Sequence, residues 1–490
     1  MSKKNILSEV QKAVGAKIDI FKDSNNDHSR YRVNKKNYRT VLIKNIPFIF
    51  TCDAMDKLVV LKNQSIAIKD DFIVDVAPLE KIKAKKFDLV YDAGKRGGTV
   101  VTPGLINTHA HIHMYLLRSA MILDEEKSID ETISNMAAWQ KFETEEALFY
   151  ASVGDLTEEQ KNGITTTLTH GPSFESGEIA ARITRHNLLN AVSAVSNSRP
   201  TNSPEMVEKL LQKKDQFYST PAISLHYLYK TSFQTLRKVK KIIEKYQSLL
   251  TVHLAESQSV AENTLRKHGM SEVEVLKKFK LLNSHTIASH AIYIKPKEII
   301  ELAENQVGIV HLPTSNTLHK SGVFPFWQFN DANGYKNISL GTDSVVSKNQ
   351  LDLLTEAYQA RITHLYARPI KYGTLFKMMT ANGARVLGLF DRGKILPGMK
   401  ADIVFWKLRD RGFVPYDEKN PTTLLGNLIT HSGRMVRDLM INGKIIVKDR
   451  RHQFVNETKL LDVLQKKHME MRERKDKNSD MKIAKQKAAD

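Results

Sequence analysis

Apolar positions along the chain fall into two textures. From Thr40 the sequence runs in short stretches, TVLIKNIPFIFT, LVVLKNQSIAIKDDFIVDVAP and FDLVYDAG, in which Ile and Val alternate with polar partners. Period-two alternation predicts strands with one covered face. The same texture returns in ADIVFWKL (401–408) and RDLMINGKIIVKDR (437–450). A small β-sandwich assembled from both ends of the chain is therefore expected, over 39–102 and 391–450. Residues 1–38 are polar, lack sustained periodicity and read as a leader of uncertain structure.

The region 103–390 alternates short apolar runs with longer amphipathic stretches. The runs are GLINTHAH, TTTLTHG, NAVSAVSN, AISLHYLY, LLTVHLAES, HTIASHA, VGIVHLPTSN and ISLGTDS, with segments such as SVAENTLRKHGMSEVEVLKKFK between several of them. Eight strand-then-helix units predict an α/β fold, a (β/α)8 TIM-type barrel, whose chemistry belongs at the C-terminal strand ends. His111, His170, His226, His253, Glu256, His290 and Asp343 fall there. The segment 451–490 has Leu460, Leu461 and Leu464 and then mostly charge, which predicts one short helix and a disordered end.

Composition narrows the class without changing the fold. A chain of 490 residues with 41% hydrophobic residues can bury one large core plus an accessory domain. No run of ~18 apolar residues occurs, so a membrane span is not expected. The N-terminus lacks the apolar core of a secretory signal. Cys52 is the single cysteine, which rules out an intrachain disulfide and a cysteine zinc cage. These features point to the cytoplasm. The net charge of +20 raises the question of a nucleic-acid partner. Residues 451–490 carry eleven Lys/Arg against seven Asp/Glu, so most of the excess is dispersed over the body. KVKKIIEK (238–245) reads as the solvated face of a helix. Nucleic acid is accordingly not the expected partner.

In VTPGLINTHAHIHMYLL, His109 and His111 are two apart at a strand end, where i and i+2 face the same way. His113 continues the alternation into the following loop. His253 stands near the end of the fifth run with Glu256 three residues on, close enough to serve a bound water without binding an ion. His290 ends the sixth run and Asp343 the eighth. Neutral imidazoles with one carboxylate suit Zn2+ or Fe2+ and leave a position for water, which the ion would acidify.

With these residues the sequence resembles the amidohydrolase superfamily, in the branch of S-adenosylhomocysteine and methylthioadenosine deaminases, guanine deaminase and triazine hydrolases. The matching text is TPGLINTHAHIHMYLLRS, VHLAES, HLPTSNTLHKSG, LGTDSVVSKNQLDLLTE, TANGARVLGL and GKILPGMKADIVFW. The resemblance implies one divalent metal on His109, His111, His253 and Asp343, with zinc expected ahead of Fe2+. It implies that Glu256 shuttles protons to the heterocycle, that His290 orients or polarises the attacking water, that Asp343 and His290 help to deprotonate it, and that His226 contacts substrate. Ser347 would lie just behind Asp343, with Ser315 and Asn316 in a loop lining the site. Two-metal members use a lysine ending the fourth strand. The fourth run has His226 there and Lys230 just beyond, which favours one metal.

Several positions depart from the family pattern. HYLYKTS stands for a HAPYTCS-like text, and TDSVVSKN for TDGAASNN, so Ser344, Val345 and Val346 would reshape the pocket floor. His170 replaces a common carboxylate. Trp139 is a candidate for stacking on a base, and Arg199 reads as a surface loop residue. The expected activity is hydrolytic deamination of an amino-substituted N-heterocycle such as methylthioadenosine or S-adenosylhomocysteine. A triazine hydrolase or guanine deaminase is the alternative, and a basic binding protein that kept the fold is the non-enzymatic one. A homo-oligomer is expected from the branch.

Overall fold

The computed structural model describes residues 3–15, 39–83, 86–121, 129–196, 201–431 and 436–487. Eight parallel strands form the central sheet: β1 (Leu105–Ala110), β2 (Ile164–Gly171), β3 (Asn187–Ser193), β4 (Thr220–Tyr227), β5 (Leu250–Leu254), β6 (Thr286–His290), β7 (Gly308–His311) and β8 (Ile338–Leu340). They are hydrogen-bonded in chain order. The Thr108 hydroxyl reaches Ser339 Oγ at 2.8 Å and the Leu340 carbonyl at 2.9 Å, and Ala110 bridges Asp343, bringing β8 back against β1. The eight runs read from the sequence are thus the eight strands of a nearly closed TIM-like barrel.

The intervening helices form because their apolar residues recur at helical spacing and their ends are capped. Phe233–Tyr246 buries Leu236, Val239, Ile242 and Ile243, while Lys238 and Lys241 stay exposed, the solvated face expected there. Ser232, Ser257 and Ser271 each accept a backbone N–H at a helix start. The second sheet has nine strands, contributed by Thr40–Pro103 and by Ile403–His452. Ile43, Ile66 and Val101 from the first part share a core with Ile403, Phe405 and Met440 from the second. A sheet domain built from both ends is what the two β-rich textures implied.

Four helices matter for the site: α1 (Lys3–Ala13), α2 (Ile129–Gln140), α3 (Glu145–Lys161) and α4 (Glu457–Lys487). Two of them correct the sequence reading. The leader contains a helix, because Leu7, Val10 and Val14 recur at spacings of three and four and are buried. The tail is one long helix rather than a short one with a disordered end. Its Leu460, Leu464 and Met471 join Leu7, Val10 and Val14 in one cluster with Phe149 and Val153 of α3. Lys467 adds an ion pair to Glu146 at 3.0 Å, and His468 donates to the Leu116 carbonyl at 2.7 Å. Residues 16–38 lie outside the described part. No helix among the described residues is long and apolar enough to cross a membrane.

Candidate active site

Nearly every imidazole singled out in the sequence converges at the C-terminal mouth of the barrel. His109 and His111 are buried at the end of β1, His253 near the end of β5, His290 at the end of β6 and Asp343 just after β8. Burial pushes the imidazoles of His109, His111, His170, His226 and His253 down, so they are neutral at pH 7 and keep a lone pair.

Backbone carbonyls decide which nitrogen carries that lone pair. His111 Nδ1 donates to the His170 carbonyl at 3.1 Å, and His253 Nδ1 donates to the His226 carbonyl at 3.2 Å. A carbonyl only accepts, so both Nδ1 atoms are protonated and both Nε2 atoms are bare. These two Nε2 atoms face each other at 3.4 Å, an arrangement of lone pairs that a cation between them would satisfy. Two ligands of one tetrahedral zinc at Zn–N of about 2.0–2.1 Å stand roughly 3.3 Å apart. Asp343 Oδ1 lies 3.5 Å from His111 Nε2 and 3.9 Å from His109 Nε2, whose own lone pair has no hydrogen-bond partner among the described residues.

The other oxygen of Asp343 is held by hydroxyls, Ser315 at 2.6 Å and Ser347 at 3.1 Å. Burial raises this carboxyl, but the lowering by His111 and His109 when either is protonated, together with the Ser315 hydrogen bond, outweighs it, so the carboxyl lies below the usual carboxylate range. A buried carboxylate among neutral imidazoles calls for a positive charge. The donor set therefore fits a divalent ion. Four overlapping groups of three ligand atoms lie within 4.8 Å of one another here, drawing on His109, His111, His170, His226, His253, Glu256, His290 and Asp343. His170 is the least available of these, since Ser224 Oγ at 3.0 Å and Thr251 Oγ1 at 2.6 Å engage both its ring nitrogens.

Glu256 sits beside this cluster, buried, with Oε1 3.5 Å from His290 Nε2. His290 Nδ1 in turn donates to Asn316 Oδ1 at 2.8 Å. A cavity of about 460 Å³ opens above, with His111, His170, His226, His253, Glu256 and Asp343 on its lining. Ile129, Ile133 and Met136 of α2 form an apolar wall, continued by Leu148 and Val195. Ser344 and Val346 line the cavity, whereas Val345 is buried and is not among its lining residues.

Not every expected residue arrives at the site. Trp139 does not line the cavity. It lies on α2 but stacks on His468 of α4 at 6.2 Å, with Lys475 over its ring at 4.6 Å. Both partners lie on the tail helix, which is longer than the short helix expected there. Arg199 lies outside the described residues. Lys230 is on the cavity wall with its ammonium 5.1 Å from the Tyr227 ring, and His113 is buried on the same wall. Sequence reasoning missed three contacts: Ser289 on His109 Nδ1 at 2.7 Å, His319 on Ser347 at 3.2 Å, and Tyr227 on Glu256 at 2.6 Å. Ser289 was the findable one, since it immediately precedes His290 on a strand facing the barrel interior.

Residues 100–446 match the amidohydrolase family profile, more than half of the chain. The chain belongs to the amidohydrolase family. Membership makes it a hydrolase acting on C–N bonds, and its His/Asp cluster has the donor atoms to hold a divalent metal. Among relatives, the 5-methylthioadenosine/S-adenosylhomocysteine deaminase of Pyrococcus furiosus is 29% identical over 437 residues, covering 86% of this chain and 98% of that one. Two zinc-bound solved structures share the fold. One is an adenosine deaminase from Xanthomonas campestris, with a TM-score of 0.77 and 21% identity over 88% of this chain and 98% of the other. The second is an atrazine chlorohydrolase from Arthrobacter aurescens, with a TM-score of 0.78 and 20% identity over 87% and 100%.

Proposed function

We propose that this amidohydrolase removes an amino group from a nitrogen heterocycle by hydrolysis, and that its substrates are adenosine-type thioether nucleosides such as methylthioadenosine and S-adenosylhomocysteine. The observation that carries the reading is the position of Glu256, an acid–base group beside the ligand cluster on the floor of a cavity with an apolar wall. Similarity to methylthioadenosine/S-adenosylhomocysteine deaminases over most of the chain supports the substrate class. In this reading His109, His111, His253 and Asp343 hold one ion, and their three-nitrogen, one-oxygen donor set favours Zn2+ over Fe2+. Such an ion supplies a water acidic enough to be a nucleophile near neutral pH.

The protein's own groups do the rest. The apolar wall from α2 packs on the flat ring and excludes water from it. His290, fixed through Nδ1 by Asn316, presents Nε2 towards Glu256 and orients the attacking water. Glu256 takes a proton from that water and delivers it to the ring nitrogen next to the carbon under attack, so no negative charge builds up in the ring. The same carboxyl then relays the proton of the newly added hydroxyl to the departing amino group; the C–N bond breaks, the hydroxyl becomes the carbonyl and ammonia leaves.

The test is ammonia release by zinc-loaded protein from adenosine, methylthioadenosine, S-adenosylhomocysteine, guanine and alkylamino-triazines. Adenosine-type nucleosides should be turned over, and Glu256→Gln should lower kcat ~100- to 10,000-fold with zinc still bound. Release from guanine or triazines alone would replace the substrate assignment. Silence across the panel would remove the enzymatic reading.

A further inference from the structure

The residue that holds Glu256 comes from an irregularity in the barrel. On β4, Ser224 points into the barrel, where its hydroxyl meets His170 Nδ1 at 3.0 Å, and Leu225 packs outward in the main apolar core. Strict alternation would turn His226 inward and Tyr227 outward. The β4–β5 register breaks this rule, because Thr251 pairs with Ser224 whereas His253 pairs with Tyr227. Two steps along β5 thus correspond to three along β4, the signature of a bulge. The extra step is taken around His226, whose φ of 22° is a strained conformation for a residue with a Cβ. Both His226 and Tyr227 consequently line the cavity. Such re-aiming of a side chain is a common use of a bulge beside a functional site.

Tyr227 uses that placement on one partner. Its hydroxyl donates to Glu256 Oε2 at 2.6 Å, with the tyrosine buried. This leaves Oε1 as the oxygen that faces His290 Nε2 at 3.5 Å. We propose that Tyr227 is the positioning residue of the acid–base carboxylate: it commits Oε2 to the phenol, fixes the rotation of Glu256 and keeps Oε1 as the single proton-exchanging oxygen. The inference rests on the acid–base role given to Glu256 above. Burial and the neighbouring carboxylate push the Tyr227 phenol well up, so it remains a donor wherever the protein is folded. Tyr227 passes no proton to substrate; it acts through Glu256.

The test is Tyr227→Phe, which keeps the ring and removes only the hydroxyl. A lost hydrogen bond to a charged group should lower kcat about tenfold to a hundredfold. KM should stay within about twofold and the zinc content should be unchanged, because neither a ligand nor a substrate contact is removed. On a Glu256→Gln background the same substitution should cost no further activity, since its one partner is already disabled. Equal losses on both backgrounds would overturn the inference, as would a raised KM at unchanged kcat. A readout independent of turnover uses protein labelled with 13C-carboxyl glutamate. The infrared difference between wild type and Tyr227→Phe should show one shifted carboxylate stretch, and this shift should vanish on the Glu256→Gln background. If wild type releases no ammonia, the functional reading fails, and the infrared arm still decides the inference: no shifted band overturns it.

Discussion

Ser289→Ala probes the site through an atom that touches neither substrate nor ion. Ser289 Oγ lies 2.7 Å from His109 Nδ1, and both residues are fully buried. If His109 gives its Nε2 lone pair to the ion, Nδ1 must carry the proton and donate it to Ser289. Alanine leaves that N–H unpartnered where water cannot replace the hydroxyl, at a cost of about 1–3 kcal/mol. The ring can instead shift its proton to Nε2, which blocks the lone pair needed for binding. Either outcome weakens zinc, and since 1.4 kcal/mol is tenfold in Kd, the expected loss is roughly five- to a hundredfold. Zinc affinity at pH 7 can be measured by competition with a chromophoric chelator, beside the thermal stability of the chelator-stripped protein. A Kd within about twofold of wild type, in a protein that folds normally, would refute the tautomer argument for His109.

Two further substitutions test the support of the site and the charge state of the interior. Gly341 lets β8 approach β1 so closely that a Cβ there would stand 2.8 Å from His109 Cβ and 2.9 Å from Val310 Cγ1. Gly341→Ala should therefore cost about 1–3 kcal/mol of stability and lower zinc occupancy; wild-type Tm and zinc content would contradict this. His452 accepts the Phe454 and Val455 backbone N–H groups on Nδ1 and donates through Nε2 to Gln160, and burial pushes its imidazole down to about 4. In the unfolded chain it protonates near pH 6.5, so the unfolded state binds the extra proton between about pH 6.5 and 4. Wild type should lose stability relative to His452→Gln at about 1.4 kcal/mol per pH unit as pH falls through that window, and urea unfolding should show parallel curves only above it. Curves parallel down to pH 5 would show that the imidazole is not buried neutral.

The barrel was legible because its strands are short β-rich runs with polar residues at or just past their C-terminal ends, and in a barrel those ends share one mouth. His109, His111, His253, His290 and Asp343 could be grouped on that ground alone, before any family likeness. Tyr227 could not, because alternation assigns it to the outer face and only the bulge at His226 turns it round. Ser289 was within reach, since it precedes His290 on β6, where a φ of 72° at His290 departs from regular strand alternation. The terminal helices were misread because their burial is mutual. Leu7 and Val10 have no apolar face to meet until Leu460, Leu464 and Met471 arrive from the other end of the chain. Trp139 followed from the same gap, since its stacking partner His468 lies on a helix that was read as short and followed by a disordered end.

The central claim is that a single ion, held by His109, His111, His253 and Asp343, works with Glu256 to release ammonia. It is tested most directly by titrating zinc into chelator-stripped protein while recording both bound metal and ammonia released from methylthioadenosine. Activity should rise linearly from near zero and stop at one zinc per chain, with His253→Ala remaining inactive throughout. Full activity in the stripped protein, or a plateau that needs two ions per chain, would contradict the account.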